Sequence, residues 1–319
     1  MKHFKLILGT VAGVALATTA SAQTVGIGST KAGAVAQITA TISKAVSENA
    51  GLQMRKQTMG GTQQYIPVVN AGELEFGISN ISQYWMAVTG TGLSTPNKYD
   101  NLRLVTNMMK FSVSMITPRN SGIKTMADFK GKRVPFGFKA APLFANITEG
   151  SLETAGLSYD DVKKVPAVGL VQSWRMLMAG KIDGAIAAVG SGFIKQVNAK
   201  IPGGIVHVGY ENTPEALKKM HRLFPKTYWS TIQPRKGLTG ILEPTVLVTY
   251  DYLLWTHKAL SDETVYKVTK VMHQQRKNLM DAGPLWRTYP EGAGLAKNHD
   301  TPYHPGAIKY YKEAGIWPN

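Results

Sequence analysis

The sequence predicts an α/β protein of two lobes, each with a central, mostly parallel sheet flanked by helices. Three observations carry that expectation. Short β runs alternate with amphipathic helices over most of the 319 residues, the pattern of strand–helix–strand units. The alternation lapses once, near residues 102–117, where two β runs follow each other without a long helix between them. One helix-to-strand turn also recurs: Ala71-Gly72-Glu73-Leu74-Glu75-Phe76-Gly77-Ile78 is echoed by Ala179-Gly180-Lys181-Ile182-Asp183-Gly184-Ala185-Ile186. Each copy has a glycine able to close a helix in the left-handed conformation, and one copy in each half suggests two similar lobes.

In order, Thr24 to Ile27 reads as a strand ending at Gly28. The next helix has Val35, Ile38, Ile42 and Val46 on one face, the spacing of a buried stripe, and stops at Gly51. Leu52 to Gln57 alternates as a strand, and Met59-Gly60-Gly61-Thr62 turns into a helix over Gln63 to Asn70. A strand at Glu75 to Ile78 follows, then the β runs Leu102 to Met108 and Ser112 to Thr117. Thr125 with Asp128, and Ser158 with Asp161, have the spacing of capping boxes. Helices over Pro142 to Ala155 and Val171 to Ala179 frame the second half, with a strand at Ala185 to Ala188. Near the end come a β run from Thr245 to Tyr250, one long helix from Asp262 to Asp281, and a last helix from Pro305 to Ala314. Trp286, Tyr289, Tyr303, Tyr310, Tyr311 and Trp317 read as packing for that tail.

The first 22 residues have the three parts of a secretory signal peptide. Lys2, His3 and Lys5 are basic, Leu6 to Leu16 is apolar, and Ala20-Ser21-Ala22 suits cleavage before Gln23. The apolar run is broken by Gly9 and Gly13 and is shorter than the ~20 residues of a membrane span. Mean hydropathy is −0.11, and no later segment reads as a membrane span. The expected address is the periplasm. With no cysteine in the chain, disulfides, thiolate metal sites and lipid-anchored cysteine are excluded. Without Lys2 and Lys5 the chain keeps 34 basic against 20 acidic residues, a charge of +14. Export and the scatter of these cations argue against nucleic acid as a partner and for small anions or an anionic surface.

Chemistry of the catalytic kind is hard to find. Zinc-protease, Walker and nucleophile-elbow motifs are absent. Gly26-Ile27-Gly28 with Gly33 is out of step for a dinucleotide loop. Ser121-Gly122-Ile123-Lys124 lacks the partner motifs of a serine–lysine enzyme and reads as a turn before a capped helix. His299, Asp300 and His304 sit in a polar loop between prolines, which reads as solvated rather than as a metal site. Neither catalytic residues nor a metal or cofactor is expected, and the chain does not read as an enzyme.

Ligand chemistry is better represented, in loops that follow strands and open helices. Ser29, Thr30 and Lys31 follow the first strand; Thr62 and Gln63 open the second helix; Asn80 and Gln83 follow the third strand. The second half offers Lys139 and Ala140 after the strand ending at Phe136, and Gly190 and Ser191 after Ala188. Free backbone N–H groups at helix starts suit a carboxylate. The carboxyl ends of parallel strands share one edge, so such loops can converge on one crevice. A charged hydrogen bond from Lys31 or Lys139 would add about 1.5–3 kcal/mol.

Several of these segments resemble the TAXI group, the solute-binding proteins of TRAP transporters. The resemblance runs nearly end to end: Gly28-Ser29-Thr30, Gly60-Gly61-Thr62, Ala71 to Gly77, Ser121 to Thr125, Asp128 to Val134, Ala179 to Asp183, Val265 to Lys270, and Tyr303-His304-Pro305-Gly306-Ala307. It implies a Venus-flytrap periplasmic-binding-protein fold, with hinge strands between a first lobe (23–116 plus 245–319) and a second (117–244). It also implies capture of a small organic acid and delivery, by a monomer, to the membrane subunits of a TRAP transporter. Family members often continue Gly-Ser-Thr with Gly-Gly-Thr-Tyr, whereas this chain has Lys31-Ala32-Gly33-Ala34. The aromatic is lost and a cation is gained near the ligand, which favours a dicarboxylate or oxo acid over an amino acid. Two alternatives stay open: the receptor of a tripartite tricarboxylate transporter, and a periplasmic enzyme on the same scaffold.

Overall fold

A computed structural model describes residues 22–31 and 33–318. Apart from Ala22, the expected signal peptide lies outside them. The chain runs β1 (Gln23–Thr30), α1 (Gly33–Asn49), β2 (Leu52–Met59), α2 (Thr62–Ala71), β3 (Phe76–Asn80) and α3 (Ile81–Thr89). After the long strand β4 (Leu102–Pro118) come β5 (Arg133–Gly137), α4 (Leu143–Thr154), β6 (Lys163–Ala167), α5 (Leu170–Met178), β7 (Ala185–Ala188) and α6 (Gly192–Lys200). Then follow β8 (Ile205–His207), α7 (Pro214–Leu223), β9 (Tyr228–Ile232), the return strand β10 (Thr245–His257), α8 (Asp262–Gln274), α9 (Arg276–Asp281) and α10 (Pro305–Glu313).

The main sheet has the order β2-β1-β3-β10-β4-β7, with β8 added to β4 and β9 to β10. Strands β1, β2 and β3 are parallel, while β10 runs antiparallel to β3, β4 and β9. Strands β5 and β6 form a separate parallel pair, tied to the start of β7 by Arg133 and Asp183. Their backbones bond at 2.8 Å and their side chains meet at 2.6 Å. The result is two lobes sharing two long strands, β4 and β10.

The repeated turn forms as expected. Gly72 and Gly180 have φ of 80° and 65°, and the N–H groups of Glu73 and Lys181 reach back to the carbonyls of Val68 and Met176. Both capping boxes form as well. In the strands, glycine serves close packing. A Cβ at Gly77 would stand 2.2 Å from the Trp255 ring, and one at Gly28 would stand 2.6 Å from Tyr65. The Trp255 Nε1–H donates to Ser79 Oγ at 2.9 Å, so the indole is both buried and satisfied.

Four expectations are corrected. Strand β1 does not end at Gly28 but continues to Thr30, because every residue from Gln23 to Thr30 pairs with β2. The β runs 102–108 and 112–117 are one strand, since β10 pairs from Leu102 to Val113, across the gap between them, with a bulge between the Lys110–Asp251 and Asn107–Leu253 pairs. The expected helix from 262 to 281 divides at Gln275, whose φ of −89° and ψ of 17° leave the helical region. In the loop with His299 and His304 the two histidines are not solvated, being 7% and 0% exposed, while Asn298, Asp300 and Pro302 stay exposed. The tail aromatics do pack, with Tyr289 and Tyr311 fully covered and donating to the carbonyls of Met272 and Val105.

Gly77→Ala tests the close approach of Trp255. Overpacking of this kind costs about 1–3 kcal/mol, so a clear fall in the melting temperature is expected. An unchanged melting temperature would contradict it.

Candidate functional site

Successive residues of a strand point to opposite faces, and this sorts the middle of β4 and β10. Phe111, Tyr250 and Tyr252 share one face: Phe111 stacks on Tyr250 at 6.0 Å and meets Tyr252 edge-on at 5.3 Å. Phe224, at the end of α7, closes on Tyr250 at 5.2 Å. Lys110, Ser112, Thr249 and Asp251 occupy the other face. The aromatic face is overhung on one side by the starts of α2 and α3 and on the other by the end of α7.

Two contacts across this space show the lobes drawn together. A Cβ at Gly61, before α2, would lie 3.4 Å from the Ala140 carbonyl oxygen. The Ser82 hydroxyl, in the first turn of α3, donates to the Pro225 carbonyl. Between these contacts lie the hinge tyrosines. Tyr250 and Tyr252 are 8% and 7% exposed, and their hydroxyls make no hydrogen bond among the described residues. Burial raises both phenols well above 10, so they stay neutral donors. Tyr65 lies beside Tyr252 but has no donor to spare, because its hydroxyl donates to Ile78 O at 2.5 Å.

The residues expected to bind ligand separate into three sets. Thr62, Gln63, Asn80 and Gln83 lie at the starts of α2 and α3 on the aromatic side, with Ala140 opposite. Asn80 caps α3, accepting from Gln83 N at 2.8 Å and donating to Gln83 Oε1 at 2.7 Å; Gln63 Nε2 is buried without a partner among the described residues. Lys31 and Lys139 are exposed and form no ion pair among the described residues, while Thr30 is half-buried. Ser29 is turned into the first lobe, and Gly190 lies beside the middle of β4. Ser29 is fully buried with its Oγ 2.7 Å from Thr39 Oγ1 of α1, because the longer β1 turns it inward. Gly190 lines a pocket with Lys110, Phe111 and Ser112 of β4, and Ser191 precedes α6 without a side-chain cap bond.

Phe111, Phe224, Tyr250 and Tyr252 were not anticipated as site residues. The signal available was the Tyr250-Asp251-Tyr252 alternation, which places two phenols on one face once the strand is known to extend past Tyr250.

A second set of contacts joins the lobes beside the crevice. Lys226, in the turn between α7 and β9, pairs with Asp300 at 2.9 Å and lies 3.9 Å from the Trp85 ring centroid. Asp251 is 2% exposed and is neutralised by Lys297 at 2.5 Å, with Tyr228 OH donating at 3.4 Å. His299 packs beside them. Its Nε2 lies 3.1 Å from Asn107 Oδ1, and burial lowers its pKa to about 4. Another cavity lies elsewhere. It has a volume of about 760 Å³ and is bounded by Arg119 and Thr245, at the ends of β4 and β10 remote from the first lobe. His207 lines it with a pKa also lowered to about 4 by burial.

Two lobes, two shared strands and a crevice between helix starts define the fold of the two-lobed periplasmic binding proteins. The chain belongs to the NMT1-like family, whose model it matches over residues 24–315. Three solved structures illustrate the fold. MatC (Rpa3494) from Rhodopseudomonas palustris with bound malate is 16% identical over 83% of this chain and 90% of that one, with a TM-score of 0.53. A periplasmic transporter is 16% identical over 92% and 93%, also at 0.53. A binding protein component of an ABC phosphonate transporter from Pseudomonas aeruginosa is 11% identical over 84% and 81%, at 0.51.

His207 and His299, both lowered to about 4, set the sign of their part in the acid response. The unfolded chain takes up these protons near pH 6.5 and the folded chain only near 4, so their contribution is complete above 6.5 and is lost as pH falls toward 4. The urea midpoint should therefore drop between pH 7 and 4.5, and His299→Gln should drop less. An equal drop in the variant would contradict the assignment.

Proposed function

We propose that this chain is an extracytoplasmic solute receptor, which closes its lobes on a small organic acid and hands it to the membrane subunits of a TRAP-type transporter. The observation that carries this reading is the pair of unpartnered phenols, Tyr250 and Tyr252, on the hinge floor between the starts of α2 and α3 and the Ala140 loop. Neutral hydroxyls and helix N-terminal N–H groups are suited to a carboxylate. Thr62, Gln63, Asn80 and Gln83 complete the polar wall, and Lys31 and Lys139 add positive charge at its rim. The malate named with MatC supports an organic acid as the solute, and the TAXI resemblance supports a TRAP partner. In this reading Met1 to Ala22 directs export and the lobes divide near residues 116 and 245. The protein works as a receptor, without turnover.

A thermal-shift screen of C4–C6 dicarboxylates, oxo acids and aromatic acids tests this. A bound acid at 100 times its Kd stabilises by about 2.7 kcal/mol, enough to raise the melting temperature by several degrees. Tyr250→Phe and Tyr252→Phe should each weaken that acid about 3- to 10-fold, the equivalent of one hydrogen bond, with the unliganded melting temperature nearly unchanged. No response to any acid would overturn the ligand class. Wild-type affinity in both variants would move the site elsewhere.

A further inference from the structure

The face of the hinge away from the crevice carries a pocket of about 90 Å³. Its wall contains three cations from three separate segments: Lys110 of β4, Arg235 after β9, and Arg287 after α9. No acidic residue lines it. None of the three cations forms an ion pair among the described residues. The carboxylate on this face of the hinge, Asp251, is the register partner of Lys110, but Lys297 and Tyr228 already occupy it. Three like charges around one small space repel each other, and a local anion is the direct way to relieve that.

The space has room for several waters, and so for a tetrahedral oxyanion. Two guanidinium groups offer forked donors that match oxyanion geometry. Gly190, with φ of 81°, brings bare backbone to the same wall. The pocket meets β4 at Lys110, Phe111 and Ser112, and strand alternation sends the Lys110 and Ser112 side chains to the face opposite the Phe111 ring.

We propose that this pocket is a second anion site, taking a free inorganic oxyanion of the phosphate or sulfate class. It ties Arg235 to Arg287 across the back of the hinge.

Titration of the full protein with sodium sulfate, against sodium chloride at matched ionic strength, tests the site by melting temperature. A saturable rise is expected with sulfate beyond that with chloride. The Arg235→Gln/Arg287→Gln double variant should need at least 10-fold more sulfate for the same rise. Tyr250→Phe, which alters the crevice, should respond to sulfate as the wild type does. Circular dichroism checks that the double variant is folded. Equal effects of sulfate and chloride, or a wild-type response in the double variant, would reduce the observation to general attraction by a basic surface and overturn the proposal. Anionic phospholipid vesicles provide the other source of phosphate. Cosedimentation that the double variant loses, with no sulfate effect, would overturn the free-ion form.

Discussion

Everything placed around the crevice is placed by the pairing of β4 with β10. These two strands stay in register from Leu102–His257 to Val113–Val248, with shifts at two points. Each then continues into the second lobe with its own partners, β7 and β8 on one and β9 on the other. Because both strands belong to both lobes, their middle forms the floor of whatever space lies between. The bulge near Asp251 matters here, since an extra residue on one strand increases local twist. It sits at Tyr252, which faces Met108 and Met109 of β4 between the Asp251–Lys110 and Leu253–Asn107 pairs.

The two faces of that floor differ in chemistry. The crevice face is aromatic and uncharged, with neutral phenols and amides as its polar groups. The opposite face holds a buried carboxylate, several cations and a tyrosine between them. Burying Asp251 would be costly alone, so the Lys297 pair and the Tyr228 hydroxyl are what make a charge at mid-hinge tolerable. The same pair fastens the C-terminal tail to β9 and β10. With Lys226 on Asp300 and Trp85, it gives the closed arrangement a polar fastening at one side while Gly61 and Ala140 meet at the other. Exposed ion pairs contribute little. The Lys226–Asp300 pair is of that kind and sets geometry more than stability, whereas the Asp251 pair is shielded.

Most of the fold was legible because its signals are local. The periodicity of Ile38, Ile42 and Val46, the Gly72 and Gly180 turns, and the Thr125 and Ser158 boxes each act within a few residues. Features settled at long range were not legible. The join of 102–108 to 112–117 depends on a partner some 140 residues away. The length of β1, and with it the inward turn of Ser29, depends on β2, 29 residues further on. His299 and His304 look polar and exposed in sequence, yet Asn107 and the start of α10 bury them. The crevice was legible in outline, since helix starts after strands were expected to gather and several do. Its floor was not, because Phe111, Tyr250 and Tyr252 look like ordinary strand aromatics until the pairing puts them on one face.

Hydrogen–deuterium exchange of the full protein tests the central role of the paired strands most directly. The amides of β4 from 104 to 116 and of β10 from 246 to 256 should be among the slowest to exchange and should open together, as one cooperative unit spanning both lobes. Exchange of residues 107–113 and 248–253 in the fast class, opening independently of the strand ends, would contradict the account.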